Sequence, residues 1–245
     1  MKVLGVIPAR YGSSRFPGKA LALLGDKPMI QWVWEKTKKA KTIHQLIIAT
    51  DDKRIFAAAK KFGAEVVMTR KNHPSGTDRI AEVAQKIKCD LVVNIQGDEP
   101  FLNPQSIDTA VKALMAQPRF HMSTLCEKIE KFDDLKTPNV VKVVFGKENQ
   151  ALYFSRYSIP FNRDQIKTVT HYKHIGLYVY RKEALLRLVR YPISPLENAE
   201  KLEQLRALEN GYRIYVKPIT YSGFGIDTPQ DLLKAKRWLK IKSNL

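Results

Sequence analysis

The chain has 245 residues, 44% of them hydrophobic, which is enough to bury a sizeable core and excludes an extended disordered chain. Lys and Arg outnumber Asp and Glu 42 to 24, a formal charge of +18 that suits nucleic acid, an anionic membrane or a polyanionic small substrate without choosing among them. The only cysteines, Cys89 and Cys126, stand far apart with no zinc or redox spacing, so no disulfide framework is expected.

Met1 to Pro8 is a short apolar run, too short to span a membrane and without the layout of a signal peptide, so a cytoplasmic chain with no membrane insertion is expected. Val3–Ile7, Leu46–Thr50, Glu65–Met68 and Leu91–Ile95 read as strands, and Met29–Lys39, Lys53–Phe62 and Asp78–Lys88 place apolar residues at helical spacing between them. This alternation predicts a mainly parallel sheet covered on both faces, with ligands outside the carboxyl ends of the strands. A helix is predicted over Pro104–Ala116, then strands at Met122–Cys126, Val140–Val144, Ala151–Phe154 and Ile175–Tyr180, a small mixed-sheet extension. Glu197–Asn210 reads as one helix closed by Gly211, and Thr228 with Pro229 starts a last helix as N-cap and first-turn proline. With no repeat, low-complexity tract or linker, residues 1–245 are expected to form one domain. The basic residues lie mostly on the amphipathic helices, where solvated faces account for them better than a nucleic-acid stripe.

Three stretches carry chemistry. Pro8 to Lys19 follows the first strand, and its Gly and Ser residues can turn backbone N–H groups toward phosphate while Arg10, Arg15 and Lys19 supply three cations. It is not a Walker A loop, and a merely basic loop is the competing reading. Asn94 to Pro100 ends an apolar strand, where Gly97 permits close backbone approach and Asp98 suits a magnesium ion bridging phosphate oxygens; a turn-capping aspartate is the alternative. Gly223 to Pro229 precedes the last helix, and Asp227 is either a neighbour of the Thr228 cap or a second carboxylate converging with Asp98 on a metal-bound nucleotide. His73–Arg79 and His174–Tyr178 also lie at element boundaries, the first offering hydroxyls and amides to a base or ribose. His44 and His121 are unassigned, and no catalytic triad or dinucleotide fingerprint appears.

These stretches resemble one family, the 3-deoxy-manno-octulosonate cytidylyltransferases. The resemblance is carried by IPARYGSSRFPGK (Ile7–Lys19), ATDD (Ala49–Asp52), HPSGTDR (His73–Arg79), NIQGDEP (Asn94–Pro100), NVVKVV (Asn139–Val144), ALYFSR (Ala151–Arg156), HIGLY (His174–Tyr178), SPLE, LEQLR and GIDTP (Gly225–Pro229), in family order across nearly the whole chain. It implies a nucleotide-diphospho-sugar transferase-like α/β/α sandwich with a mainly parallel mixed sheet and a small extension for dimerisation, in a cytoplasmic homodimer. It also implies that CTP and magnesium activate the acidic sugar for lipopolysaccharide. Residue by residue, Ala9, Arg10, Ser13, Lys19, Ser75, Gly76, Gln96 and Asp98 would hold the nucleotide, Lys19, Asp98 and Asp227 would act in catalysis, and Asp98 and Asp227 would bind Mg2+. The sugar would meet Arg156, His174, Tyr178, Glu203 and Gln204. No general base is assigned.

Two positions depart from the family pattern: Ala20 replaces a common proline, and Val179 replaces a common glycine beside the implied sugar pocket. The 8-amino analogue of the sugar, or another acidic sugar, stays open within the class. A basic nucleic-acid-binding protein is the reading from a different class, set aside because the charge is scattered and the motifs are ordered.

Overall fold

The computed structural model describes residues 1–12, 16–166 and 168–243. The chain packs as two compact units, one made of Met1–Asp108 with Ser222–Leu245, the other of Thr109–Tyr221.

The first unit begins with β1 (Val3–Ala9), a 3-10 turn (Lys19–Leu21) and a hairpin of β2 (Leu23–Leu24) and β3 (Lys27–Pro28). Then come α1 (Met29–Thr37), β4 (Gln45–Thr50), α2 (Lys53–Lys61), β5 (Glu65–Met68), α3 (Gly76–Gln85), β6 (Leu91–Asn94) and the start of α4 (Pro104–Met115). The strands lie in the order β6-β1-β4-β5, all parallel. Their runs of Val, Ile and Leu are buried on both faces, as in Val6, Ile7, Ile47, Ile48, Val92 and Val93, which is what a sheet covered by helices on both sides requires. From β1 the chain steps outward to β4 and β5, then reverses to β6. Right-handed crossovers therefore put α1 and α2 on one face and α3 on the other. The expected strands and helices are all present. The third helix starts two residues before the predicted Asp78 because Ser75 caps it, its hydroxyl accepting from the Asp78 N–H at 3.2 Å.

The second unit holds the rest of α4, β7 (Met122–Lys128), α5 (Phe132–Lys136), β8 (Lys142–Phe145), β9 (Ala151–Ser155), β10 (Tyr172–Arg181), α6 (Lys182–Leu188), α7 (Pro195–Glu200), α8 (Gln204–Glu209) and β11 (Ile214–Pro218). Its sheet is mixed: β7 is parallel to β11 and antiparallel to β10, and β8 is antiparallel to both β10 and β9. The last helix of the chain, α9 (Pro229–Ser243), returns to the first unit.

One expectation is corrected here. Glu197–Asn210 is two short helices, because Arg156 takes the carbonyls that a continuous helix would use. Its Nε donates to Glu200 O at 2.6 Å and its Nη2 to Lys201 O at 3.3 Å. Lys201 sits in the left-handed region at φ 54°, and Leu202 N turns back to Glu197 O. Gly211 does follow the second helix with φ 75°, as expected of a helix end. The β8 strand starts at Lys142 rather than Val140 for a related reason. The Lys142 ammonium is fully buried and donates to the carbonyls of Thr137 (2.8 Å), Val140 (2.8 Å) and Arg156 (2.9 Å), which turns the preceding segment out of the ladder.

Burial pulls the Lys142 pKa down, while the Asp134 and Glu200 carboxylates pull the other way. Lys142→Met keeps the stem and removes the charged donor, leaving three carbonyls short of a partner. We expect a loss of about 3 kcal/mol in urea unfolding followed by circular dichroism, from the cost of unsatisfied buried polar groups; an unchanged midpoint would show that water replaces the ammonium.

Candidate active site

The carboxyl ends of β1 and β6 lie side by side where the strand order reverses, the place at which open α/β sheets leave a crevice for ligands. Two backbone approaches shape it. A Cβ built on Gly97 would lie 2.9 Å from the carbonyl oxygen of Pro8, so only glycine lets the loop after β6 cross the end of β1. The carbonyl of the next residue, Asp98, accepts from Ile226 N at 2.8 Å, tying this loop to the segment before α9.

That segment is anchored from below. Ile226 is fully buried in a cluster with Leu24, Met29, Phe101 and Ala235, onto which Phe224 and Trp238 pack, with Phe101 4.8 Å from Phe224 and 4.4 Å from Trp238 between ring centres. Thr228 caps α9 as predicted: its hydroxyl accepts from Asp231 N, and the Asp231 carboxylate accepts from Asp227 N at 3.2 Å and Thr228 N at 3.0 Å. Asp231 thus serves the cap, and the Asp227 carboxylate is committed elsewhere.

It meets Lys19. The Lys19 ammonium donates to Asp98 Oδ2 at 2.5 Å and to Asp227 Oδ1 at 3.0 Å. Lys19 is 18% exposed, Asp98 26% and Asp227 47%, so the group is sheltered yet open to a ligand on the Asp227 side. Burial pulls the Lys19 pKa down, but Asp98 first and then Asp227 outweigh it, and the net shift is upward. One positive and two negative groups leave a local charge of about −1, to which a cation is drawn. No group of three or more His, Cys, Asp or Glu that could hold a metal occurs among the described residues. Two carboxylates completed by phosphate oxygens and water are nonetheless the donor set that magnesium prefers, so the residues present fit a divalent ion arriving with a nucleotide.

The loop that delivers Lys19 is closed at its stem. Gly18 N donates to Tyr11 O at 2.8 Å, and Gly18, at φ 71°, lies so near the Tyr11 ring that a Cβ would be 3.0 Å from it. On the same ring lies the Arg54 guanidinium, 3.3 Å from the centroid and held by Asp52, whose pKa falls to about 2 chiefly through the Arg54 hydrogen bond. Tyr11 and Arg54 received no role from sequence; Tyr11 lies within the first quoted motif, and Arg54 two residues beyond ATDD. Ala9 ends β1 with a buried side chain, Arg10 is exposed just beyond it, and Ser13 and Arg15 lie outside the described residues.

Nearby in the same unit, Gly76 opens α3 against Pro8. The Ser75 hydroxyl donates to Asp78 Oδ2 at 2.6 Å, so it is bound within its own cap. Behind it, buried Arg79 binds Asp51 at 2.8 Å, the Thr69 hydroxyl and Arg70 O, and His73 lies 2.5 Å from Glu82, fixing the approach to the helix. Gln96 is half-buried between Asn94 and Asp98.

In the second unit, His174 and Tyr178 stack along β10 with ring centres 5.2 Å apart, and Phe154 meets His174 edge-on at 5.1 Å. Burial pushes the His174 pKa down to about 3, and burial, then Tyr180 and Glu203, push that of Tyr178 well up. Glu203 is therefore close to Tyr178, and Gln204 beside it is buried with its Nε2 lacking a hydrogen-bond partner among the described residues. Arg156, by contrast, spends its guanidinium on the carbonyls of Pro138, Glu200 and Lys201. Val179 is fully buried. His44 accepts from Val3 N and His121 from Arg213 N, structural roles for both.

Residues 4–214 match a family model described as cytidylyltransferase. The 3-deoxy-manno-octulosonate cytidylyltransferase of Solibacter usitatus is 52% identical over 239 residues, covering 98% of this chain and 95% of that protein. That of Geobacter metallireducens is 49% identical over 244 residues, covering 96% of each. Among solved structures, a CMP:2-keto-3-deoxy-manno-octonic acid synthetase complexed with CTP is similar at a TM-score of 0.94 and 40% identity, over 99% of this chain and 100% of that one. The 4-diphosphocytidyl-2C-methyl-D-erythritol synthase of Anaerococcus prevotii, at 0.64 and 15% identity over 98% and 96%, shares the fold.

The Gly97 approach is testable by thermal unfolding. Gly97→Ala is expected to lose about 1–3 kcal/mol, the cost of overpacking against backbone that cannot move aside. Gly146→Ala, where a Cβ meets nothing within 4 Å, is the control expected to stay near wild type. Equal stability of both variants would mean that the β6 loop does not lie against Pro8.

Proposed function

The chain belongs to the 3-deoxy-manno-octulosonate cytidylyltransferase family, and from that premise we propose that it joins CMP from CTP to 3-deoxy-manno-octulosonate with release of pyrophosphate. The observation that carries this reading is the Lys19 ammonium held between Asp98 and Asp227 at the strand-order reversal. In this role the sugar feeds lipopolysaccharide synthesis.

The reaction places the anomeric hydroxyl oxygen of the sugar in line with the α-phosphorus and expels pyrophosphate. It forms one P–O bond, breaks another and frees one proton. Such transfers are catalysed mainly by positioning and charge balance. Lys19 balances the growing charge on the leaving pyrophosphate as a compact ammonium, with Arg10 and Ser13 on the same loop and Ala9 contributing through its main chain. Ser75, Gly76 and Gln96 contact the cytidine at the start of α3 and the end of β6. Asp98 and Asp227 would hold a divalent ion, magnesium by ligand preference, which when bound neutralises phosphate charge and makes the hydroxyl easier to ionise. On the sugar side, His174, Tyr178, Glu203 and Gln204 line the pocket, supported by the unpartnered Gln204 amide. Arg156 serves the same side by holding the backbone at Glu200 and Lys201, immediately before Glu203.

The family match spans residues of both compact units, which supports treating residues 1–245 as one catalytic domain. No described helix is long and apolar enough to cross a membrane. The proposed reaction belongs in the cytoplasm, where CTP is made. A homodimer is proposed through the second unit, where Leu152 on β9 is 62% exposed and Phe161 81% exposed, apolar surface that a second copy would cover.

The decisive assay is pyrophosphate release from CTP, magnesium and 3-deoxy-manno-octulosonate, run beside the 8-amino sugar and with ATP, GTP and UTP. Asp98→Asn and Asp227→Asn should each lose about 10²–10³ in kcat, the scale set by removing one charge-stabilising group, while keeping the melting temperature of the ligand-free chain. Asp227→Asn at wild-type activity would reduce Asp227 to a neighbour of the cap. Phe161→Glu should shift the sedimentation coefficient to that of a monomer; an unmoved dimer would place the interface elsewhere.

A further inference from the structure

The sugar-side histidine sits beside an irregularity in its strand. The ladder of β10 on β7 pairs His174 with Cys126 and Ile175 with Leu125, then resumes at Tyr178 with Thr124, so Gly176 and Leu177 are bulged. The fully buried Thr124 hydroxyl fills the bulge, 2.8 Å from Leu177 O, 3.2 Å from Ile175 O and 2.9 Å from His174 Nε2. A hydroxyl has one proton to give and carbonyl oxygens can only accept, so that proton goes to the bulge. What remains on Thr124 toward the imidazole is a lone pair. The 2.9 Å contact is then a hydrogen bond only if Nε2 carries the proton and donates it.

The other nitrogen follows by elimination. Burial alone depresses the His174 pKa to about 3, and the groups against the ring are Phe154 on β9, Tyr178 on the same strand and Cys126 across the ladder. Burial raises the pKa of both Cys126, to about 12, and Tyr178, so neither carries charge at neutral pH. The imidazole is neutral with its one proton on Nε2, and Nδ1 is a bare acceptor.

We propose that Thr124 is a positioning residue that locks His174 as the Nε2–H tautomer, so that Nδ1 accepts a hydrogen bond from a hydroxyl of the sugar and offers nothing to its carboxylate. This rests on the assignment of His174 to the sugar pocket. It gives the pocket a way to orient an acidic polyol: a group with a proton to give is accepted at Nδ1, and a carboxylate there meets a lone pair and is turned away.

Two measurements test it. Nitrogen-15 NMR of the ligand-free chain should show His174 as a single neutral tautomer protonated at Nε2, with no titration between about pH 5 and 8, as its depressed pKa requires. A proton on Nδ1, or a midpoint in that window, would overturn the proposal. In steady-state kinetics, Thr124→Val should raise the KM for the sugar about tenfold, the scale of one hydrogen bond, with the KM for CTP unchanged, and Thr124→Ser should restore it. Serine no better than valine, or equal rises in both KM values, would show that the methyl or the fold matters and not the hydroxyl. Should Thr124→Val not fold, the NMR result on the wild-type chain still decides. A wild-type chain that turns over CTP with a different acceptor would end the reading of the sugar while leaving the tautomer to be judged by NMR.

Discussion

An ammonium between two carboxylates is the contact on which the charge balance of the candidate site depends. Asp98 and Asp227 lie 79 and 208 residues beyond Lys19 in the chain, and they meet on its one nitrogen. Two carboxylates that close would repel each other and draw the protein toward protonation or local opening. The compact ammonium of lysine offsets that repulsion in the free chain and leaves one negative charge in excess. A guanidinium would fill the same space with a planar fork and hold both carboxylates more rigidly. The arrangement is charged enough to receive a metal–nucleotide complex and sheltered enough to make each charge count.

Much of the surrounding architecture reads as a means of keeping that contact in register. The reversal of strand order between β1 and β6 brings two loops to one crevice, and the absence of a side chain at Gly97 lets one pass over the carbonyl of Pro8. The aromatic packing of Phe101, Phe224 and Trp238 docks α9, so that the chain returns after the whole second unit to deliver Asp227. Helix caps do the local work: Asp52, Ser75 and the Thr228–Asp231 pair satisfy backbone N–H groups at the helix starts around the site. Each cap also spends a polar side chain, which is why Ser75 and Asp231 meet their own helices and Asp227 does not.

Periodicity in the sequence was sufficient for the parallel strands and their helices, because continuous apolar runs bounded by polar loops have few other interpretations. Asp98 was legible for a similar reason, since it follows an apolar strand and Gly97, whereas Asp227 next to the Thr228 cap gained meaning only when paired with Asp98. What stayed hidden depended on partners distant in sequence. The helical pattern of Glu197–Asn210 gives no sign that Arg156 takes two of its carbonyls and splits it. Lys142 looks like a surface lysine in a strand, yet its ammonium is buried on three carbonyls. Thr124 is an ordinary strand threonine until the bulge opposite it is seen, and β11, with Lys217 and Pro218 at its end, was too irregular to single out. Ser13 lies outside the described residues, so its expected role rests on the resemblance alone.

The central claim is the proposal that Lys19, Asp98 and Asp227 together receive a metal–nucleotide complex. Anomalous X-ray diffraction from crystals of this chain grown with manganese and a non-hydrolysable CTP analogue tests it most directly. The account predicts a metal peak within bonding distance of both Asp98 and Asp227, with the Lys19 nitrogen moved onto a phosphate oxygen. A metal bound by other residues, with Lys19 still bridging both carboxylates beside the bound nucleotide, would contradict it.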